Sequence, residues 1–105
     1  MPNNKSSATR GKLVWKKTNG ICAHCGKFTV AHNRTVDHYI PRSDHGGYDI
    51  RNLMPLCQSC NYVRGSARID PFVFYSYAKR SDILACLDYE QELIASRRSM
   101  SDDVW

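Results

Sequence analysis

The stretch VDHYIPRSDHGGYDIRNLMPLCQSCNYVRG, residues 36–65, carries most of what the chain reveals about its fold. With two residues added upstream, RTVDHYI (34–40) alternates β-branched and aromatic types and predicts a strand. Pro41 ends it, and Gly46-Gly47 allow positive φ in a turn-rich loop over 41–49. LMPLC (53–57) is a second short apolar segment. SCNYVRG (59–65) starts helical and stops at Gly65, a natural C-terminal signal.

Cys57 and Cys60 close this stretch, and a matching pair, Cys22 and Cys25, precedes it. Each pair is C-x2-C, and 31 residues separate the pairs. A knuckle of that spacing aims two thiolates at one ion, and two knuckles complete a tetrahedral site. Zinc suits four soft thiolates and needs no redox chemistry. Gly26 follows the first knuckle, where a tight turn needs backbone freedom. Two disulfides are the alternative, disfavoured in a cytosolic setting. A redox C-x-x-C is weaker still, because two matched pairs share one small domain without a βαβ pattern. Cys86, in the apolar run ILACL, reads as a buried small hydrophobe.

Outward from the knuckles, 105 residues leave room for one domain, whose small core needs a staple such as a metal. The composition, 42% hydrophobic and 24% charged, excludes wholesale disorder. No apolar run approaches the roughly 18 residues of a membrane span, and the N-terminus shows no secretory h-region. A soluble, cytoplasmic or intracellular protein without membrane partners is expected. The 15 bases and 10 acids give a net charge of +5, unevenly spread. Seven bases precede the first acid, Asp37, and such a segment attracts polyanions. Lys12, Lys16 and Lys17 are therefore candidate nucleic-acid contacts. A four-thiolate zinc site would bring the net charge nearer +3. The flanks read as a disordered basic tail over 1–9, a short helix over 11–18 placing Leu13, Val14 and Trp15 on the core, and a strand or hairpin arm over 27–33. Beyond the motif, Asp70-Pro71 reads as a helix start. A last helix is expected over 82–98 with an Ile83, Leu87, Ile94 stripe, then a polar tail over 99–105.

The features Asp37-His38, Pro41, Gly46-Gly47, Asn52-Leu53, Pro55-Leu56-Cys57, Cys60-Asn61 and Gly65 resemble the HNH endonucleases, of the ββα-metal (His-Me finger) fold. Cys22-x-x-Cys25 resembles the zinc-stapled branch, and the likeness covers roughly residues 10–66. Agreement of many positions in order is more specific than any single motif. The resemblance implies a single nuclease domain over 10–98 with its motif core at 22–65 and C-terminal helices at about 70–98. The expected class is α+β: a ββα-metal core stapled by four cysteines, with flanking helices. It further implies Asp37 and Asn61 as ligands of a catalytic divalent ion, and Asn52 as the residue that holds the loop and orients the base. The motif helix would approach the minor groove of DNA.

The chemistry is consistent with that likeness. Phosphodiester hydrolysis needs an activated water, a charge-absorbing metal and leaving-group stabilisation. Neighbours on a strand point to opposite faces, so one of Asp37 and His38 can hold a metal while the other faces water. A neutral histidine is a suitable base at pH 7. Asn61 stands where many members have His, an HNN version, and its neutral oxygen favours Mg2+ or Mn2+, with Ni2+ as a softer alternative. Arg51, Arg64 and Arg68 are candidate phosphate clamps. His24 reads as packing rather than as a fifth ligand; His32 and His45 stay open, His45 with a substrate contact as one reading. DNA is favoured over RNA as substrate. The rival from another class is a zinc-stapled nucleic-acid-binding module without cleavage. Phage packaging, restriction, mobile elements and toxins are all compatible settings, and the chain could be phage-encoded.

Overall fold

β1 (Arg34–His38) and β2 (Leu53–Cys57) pair antiparallel, with Arg34 opposite Cys57 and His38 opposite Leu53. The structure, a computed structural model, describes residues 2–103, and side chains over 9–97. Both strands of a two-stranded sheet are edges, so Pro55 sits in β2 without breaking an interior ladder. Its carbonyl accepts the N–H of Ala23 at 2.8 Å, which ties the first cysteine knuckle to the sheet.

The period-2 alternation of the strands sorts the core into two parts. Met54 and Leu56 pack with Ile40, Tyr75, Ile83 and Cys86, all buried. Leu53 and Val36 pack on the other side against Val14 and Trp15 of α1 (Pro2–Lys16). The Trp15 indole N–H donates to the Thr35 carbonyl at 3.0 Å, fixing that helix to β1. α2 (Gln58–Arg64) leaves β2 without a linker and ends at Gly65, whose φ of 60° and ψ of −133° suit a residue without a Cβ.

The sequence reading is corrected at several edges. Residues 2–9, expected to be disordered, continue the helix predicted over 11–18. Val14 and Trp15 anchor one end, after which each added residue costs propagation rather than nucleation, and Pro2 stands at the first helical position. Met1 and the side chains of residues 2–8 lie outside the described residues. Leu13 is exposed rather than packed. The arm over 27–33 reduces to a single bridge, Ile21 to Phe28, and one turn at Ala31–Asn33, because the knuckle closes on itself through Cys22 N–H to Lys27 O at 2.9 Å.

Asp70 caps α3 (Pro71–Phe74) by accepting the Phe72 N–H at 2.9 Å. α4 runs Arg80–Asp103, longer than the expected 82–98, since no glycine or proline interrupts it. Of the polar tail, residues 104–105 lie outside the described residues. Ile83 and Leu87 pack as read; Ile94 is exposed, and Leu93 packs in its place. Among the described residues, no helix is long and apolar enough to cross a membrane.

Candidate active site and metal centre

The knuckles bring Cys22, Cys25, Cys57 and Cys60 together, with all four sulfurs within 4.8 Å of one another. A tetrahedral ion with bonds of about 2.3 Å spaces its thiolates about 3.8 Å apart, so the set fits a zinc-like ion. The Cys57 N–H points at Cys22 Sγ at 3.4 Å. Burial pushes the Cys22 thiol up, but backbone N–H groups outweigh it and lower its pKa, whereas burial raises those of Cys25 and Cys60; a bound cation would favour the thiolate form of all four. Gly26 adopts a φ of 76°, and a Cβ there would stand 2.6 Å from the Tyr77 ring, so the knuckle and the C-terminal segment meet where only glycine fits. His24 stacks on Phe74 at 4.0 Å with Nδ1 2.7 Å from the Phe74 carbonyl, so it packs. Cys86 is buried in the core.

Asp37, His38 and Asn61 line one cavity of about 290 Å³, together with Arg42, Ser43 and Gly65. Strand alternation turns Asp37 inward, where only 4% of it is exposed. Its Oδ2 accepts the Tyr75 hydroxyl at 2.6 Å and the Arg64 guanidinium. Burial raises its pKa, and Arg64 and Tyr75 offset this only in part. The Asn61 side-chain NH2 donates to Thr35 Oγ1 at 2.8 Å, and Thr35 donates to the Leu56 carbonyl at 2.7 Å. With its nitrogen committed, the amide offers Oδ1 as a ligand atom. Asp37 and Asn61 thus present an anionic and a neutral oxygen, a hard donor set that fits a Mg2+-class ion.

His38, half-buried, packs edge-to-face on Tyr48 with ring centroids 5.0 Å apart. Its Nε2 is buried without a hydrogen-bond partner among the described residues, a state that costs free energy unless a ligand or water fills it. Burial lowers its pKa, opposed by the Asp37 charge, so the ring is neutral at pH 7. Asn52, fully buried, clasps the preceding loop: its Oδ1 accepts the Ile40 N–H at 2.7 Å and its NH2 donates to the Ile40 and Gly47 carbonyls at 3.2 and 3.0 Å. It touches the loop rather than the imidazole. Gly46 is obligatory there, because a Cβ would lie 1.6 Å from the Ile40 carbonyl oxygen.

The expected cation contacts divide. Arg64 is not a phosphate clamp: its side chain is 1% exposed, and beside Asp37 it donates to the carbonyls of His38 (2.6 Å), Tyr39 (2.8 Å) and Ala67 (3.2 Å). Lys17 donates to the Ile50 and Leu53 carbonyls, each at 2.7 Å, and burial pushes its pKa down. Arg51 pairs with Asp49 at 2.8 Å and with Glu92. Arg68 pairs with Asp44 at 2.6 Å and with Glu90. Lys12 and Lys16 are exposed and border a cavity of about 280 Å³ with Arg34 and Trp15. His45, exposed, holds a left-handed turn at φ 68°; His32 is exposed as well. Sequence reasoning missed Thr35 and Tyr75. Thr35 had a signal, since it shares a strand face with Asp37. Tyr75 had none: it arrives from 38 residues away.

The family model for HNH endonucleases matches residues 22–66. That segment holds both knuckles, the sheet and α2, and leaves out α1, α3 and α4. Over 62 residues, 58% of this chain, the sequence is 32% identical to the CRISPR-associated endonuclease Cas9 of Corynebacterium diphtheriae. The chain spans 5% of that relative's length.

Proposed function

Taking residues 22–66 as an HNH endonuclease core, we propose that this protein hydrolyses phosphodiester bonds in nucleic acid, in DNA rather than RNA, with a divalent ion and His38 as general base. The observation that carries this reading is the shared cavity of Asp37, His38 and Asn61. Asp37 and Asn61 each have one side-chain atom tied by the protein, and the partner atom is left to hold Mg2+ or Mn2+. When bound, such an ion supplies positive charge for the transition state and the leaving oxygen. His38, neutral, takes the proton of the attacking water. Asn52 keeps the loop beside His38 in place, which supports a positioning role. The four cysteines hold zinc as a structural staple. The exposed Lys12 and Lys16 also suit a module that binds without cutting, but such a module has no need of the unpartnered imidazole.

Plasmid nicking in Mg2+ buffer tests the reading. His38→Ala is expected to lose roughly 100- to 10,000-fold in rate, with zinc content and thermal melting unchanged. Cleavage that persists in that variant, or undiminished in metal-free buffer, rejects the hydrolase assignment. Asn61→His is expected to keep some cleavage and to shift metal preference toward Mn2+ or Ni2+.

A further inference from the structure

His38 stands between two cavities. One is the cavity shared with Asp37 and Asn61; the other, of about 270 Å³, is lined by Arg10, Gly11, Val36, His38, Tyr48 and Leu53. Val36 and His38 belong to both, so the concavity runs on past the imidazole towards α1. On that far side Tyr48 is half exposed, although its ring packs on His38. Two guanidiniums face the same ring: Arg10 from α1 at 5.6 Å to the centroid, and Arg42 from the loop after β1 at 5.4 Å. Among the described residues, neither forms an ion pair with a carboxylate, in contrast to Arg51, Arg64 and Arg68.

We propose that Arg10 and Arg42, braced on Tyr48, are the phosphate contacts that seat the nucleic-acid strand across His38. This rests on the nucleic-acid-binding part of the function proposed for the same site. Two guanidiniums on one ring concentrate positive charge beside His38, and a phosphate is an anion that can meet both. A guanidinium fork matches phosphate geometry, and stacking on an aromatic face restricts the side chain before the ligand arrives. Arg42 also borders the cavity of Asp37 and Asn61, so a strand held by both arginines crosses the base from the metal side to the α1 side. α1, outside the segment matched by the family, thereby contributes directly to the substrate channel.

The test is binding of a short fluorescein-labelled DNA duplex to the zinc-loaded His38→Ala protein, by anisotropy, over about 50 to 200 mM salt. Arg10→Gln with Arg42→Gln in that background is expected to weaken binding and flatten the plot of log K against log salt by about 0.9 per arginine. Arg51→Gln, which removes an arginine already paired with acids, is expected to leave the slope near that of the parent. Tyr48→Leu is expected to reproduce part of the double variant's loss with both charges intact. A parental slope in the double variant, or a parent that binds no duplex, overturns the proposal. Binding does not require cutting, so wild-type protein that fails to nick DNA while the arginine effect holds would remove the hydrolase reading and leave this one standing.

Discussion

Asp37 is held by a hydroxyl and a guanidinium, and the two grips differ in energetic kind. Tyr75 is fully buried, so Tyr75→Phe keeps its packing and deletes the hydrogen bond to Asp37 Oδ2 together with a longer one, 3.3 Å, that the hydroxyl accepts from Arg64. A hydrogen bond to a charged group contributes about 1.5–3 kcal/mol, and a loss of that size is expected in urea unfolding. The carboxylate should also wander, raising the Mg2+ needed for half-maximal cleavage; an unchanged metal requirement would separate Tyr75 from the site. Arg64→Met leaves a carboxylate buried without its counter-charge, which costs about 3–5 kcal/mol. The expected result for Arg64→Met is a large drop in unfolding free energy, measurable before any nucleic acid is added.

At the scale of elements, each cysteine knuckle fastens one piece of the site. The second knuckle opens α2, so Cys57 and Cys60 set where Asn61 projects. The first is tied to β2 through Ala23 and Pro55. Metal binding in so small a core is folding free energy. Cys57→Ser is therefore expected to lose bound zinc and most of the cooperative melt, read by metal analysis and near-ultraviolet circular dichroism. Zinc-free protein that melts like wild type would discard the staple. β1 and α2 are legible because alternation, proline and glycine mark them locally, whereas the residues of β2 read only as a short apolar segment. The same local signals misjudged what tertiary packing decides. Arg51 and Arg68 are candidate phosphate clamps in the sequence although Asp49 stands two residues from Arg51; Asp44 reaches Arg68 across the fold, and the further acids, Glu92 and Glu90, stand on α4, where no local pattern says which face covers the loop. Arg64 is hidden for a related reason: two of the three carbonyls it satisfies belong to β1 and the residue after it, far from Arg64 in the chain.

Over the whole molecule, the basic N-terminal segment is not one uniform polyanion-binding surface. Lys12 and Lys16 are exposed, whereas Lys17 caps two carbonyls. Charge reversal at Lys12 and Lys16 is expected to lower the salt slope of nucleic-acid binding by about 0.9 per residue with little change in stability. Lys17→Glu would set a carboxylate against the Ile50 and Leu53 carbonyls, so its expected effect is a lower melting temperature. Equal behaviour of all three lysines in both assays would contradict this division. The tyrosine that steadies Asp37 has a separate consequence for engineering. Tyr75 lies beyond the matched 22–66 segment, and α3 and α4 have to fold for it to arrive. A transplant of residues 22–66 into another scaffold would carry the carboxylate and leave its hydroxyl donor behind, so the shortest recognisable module is shorter than the shortest portable one.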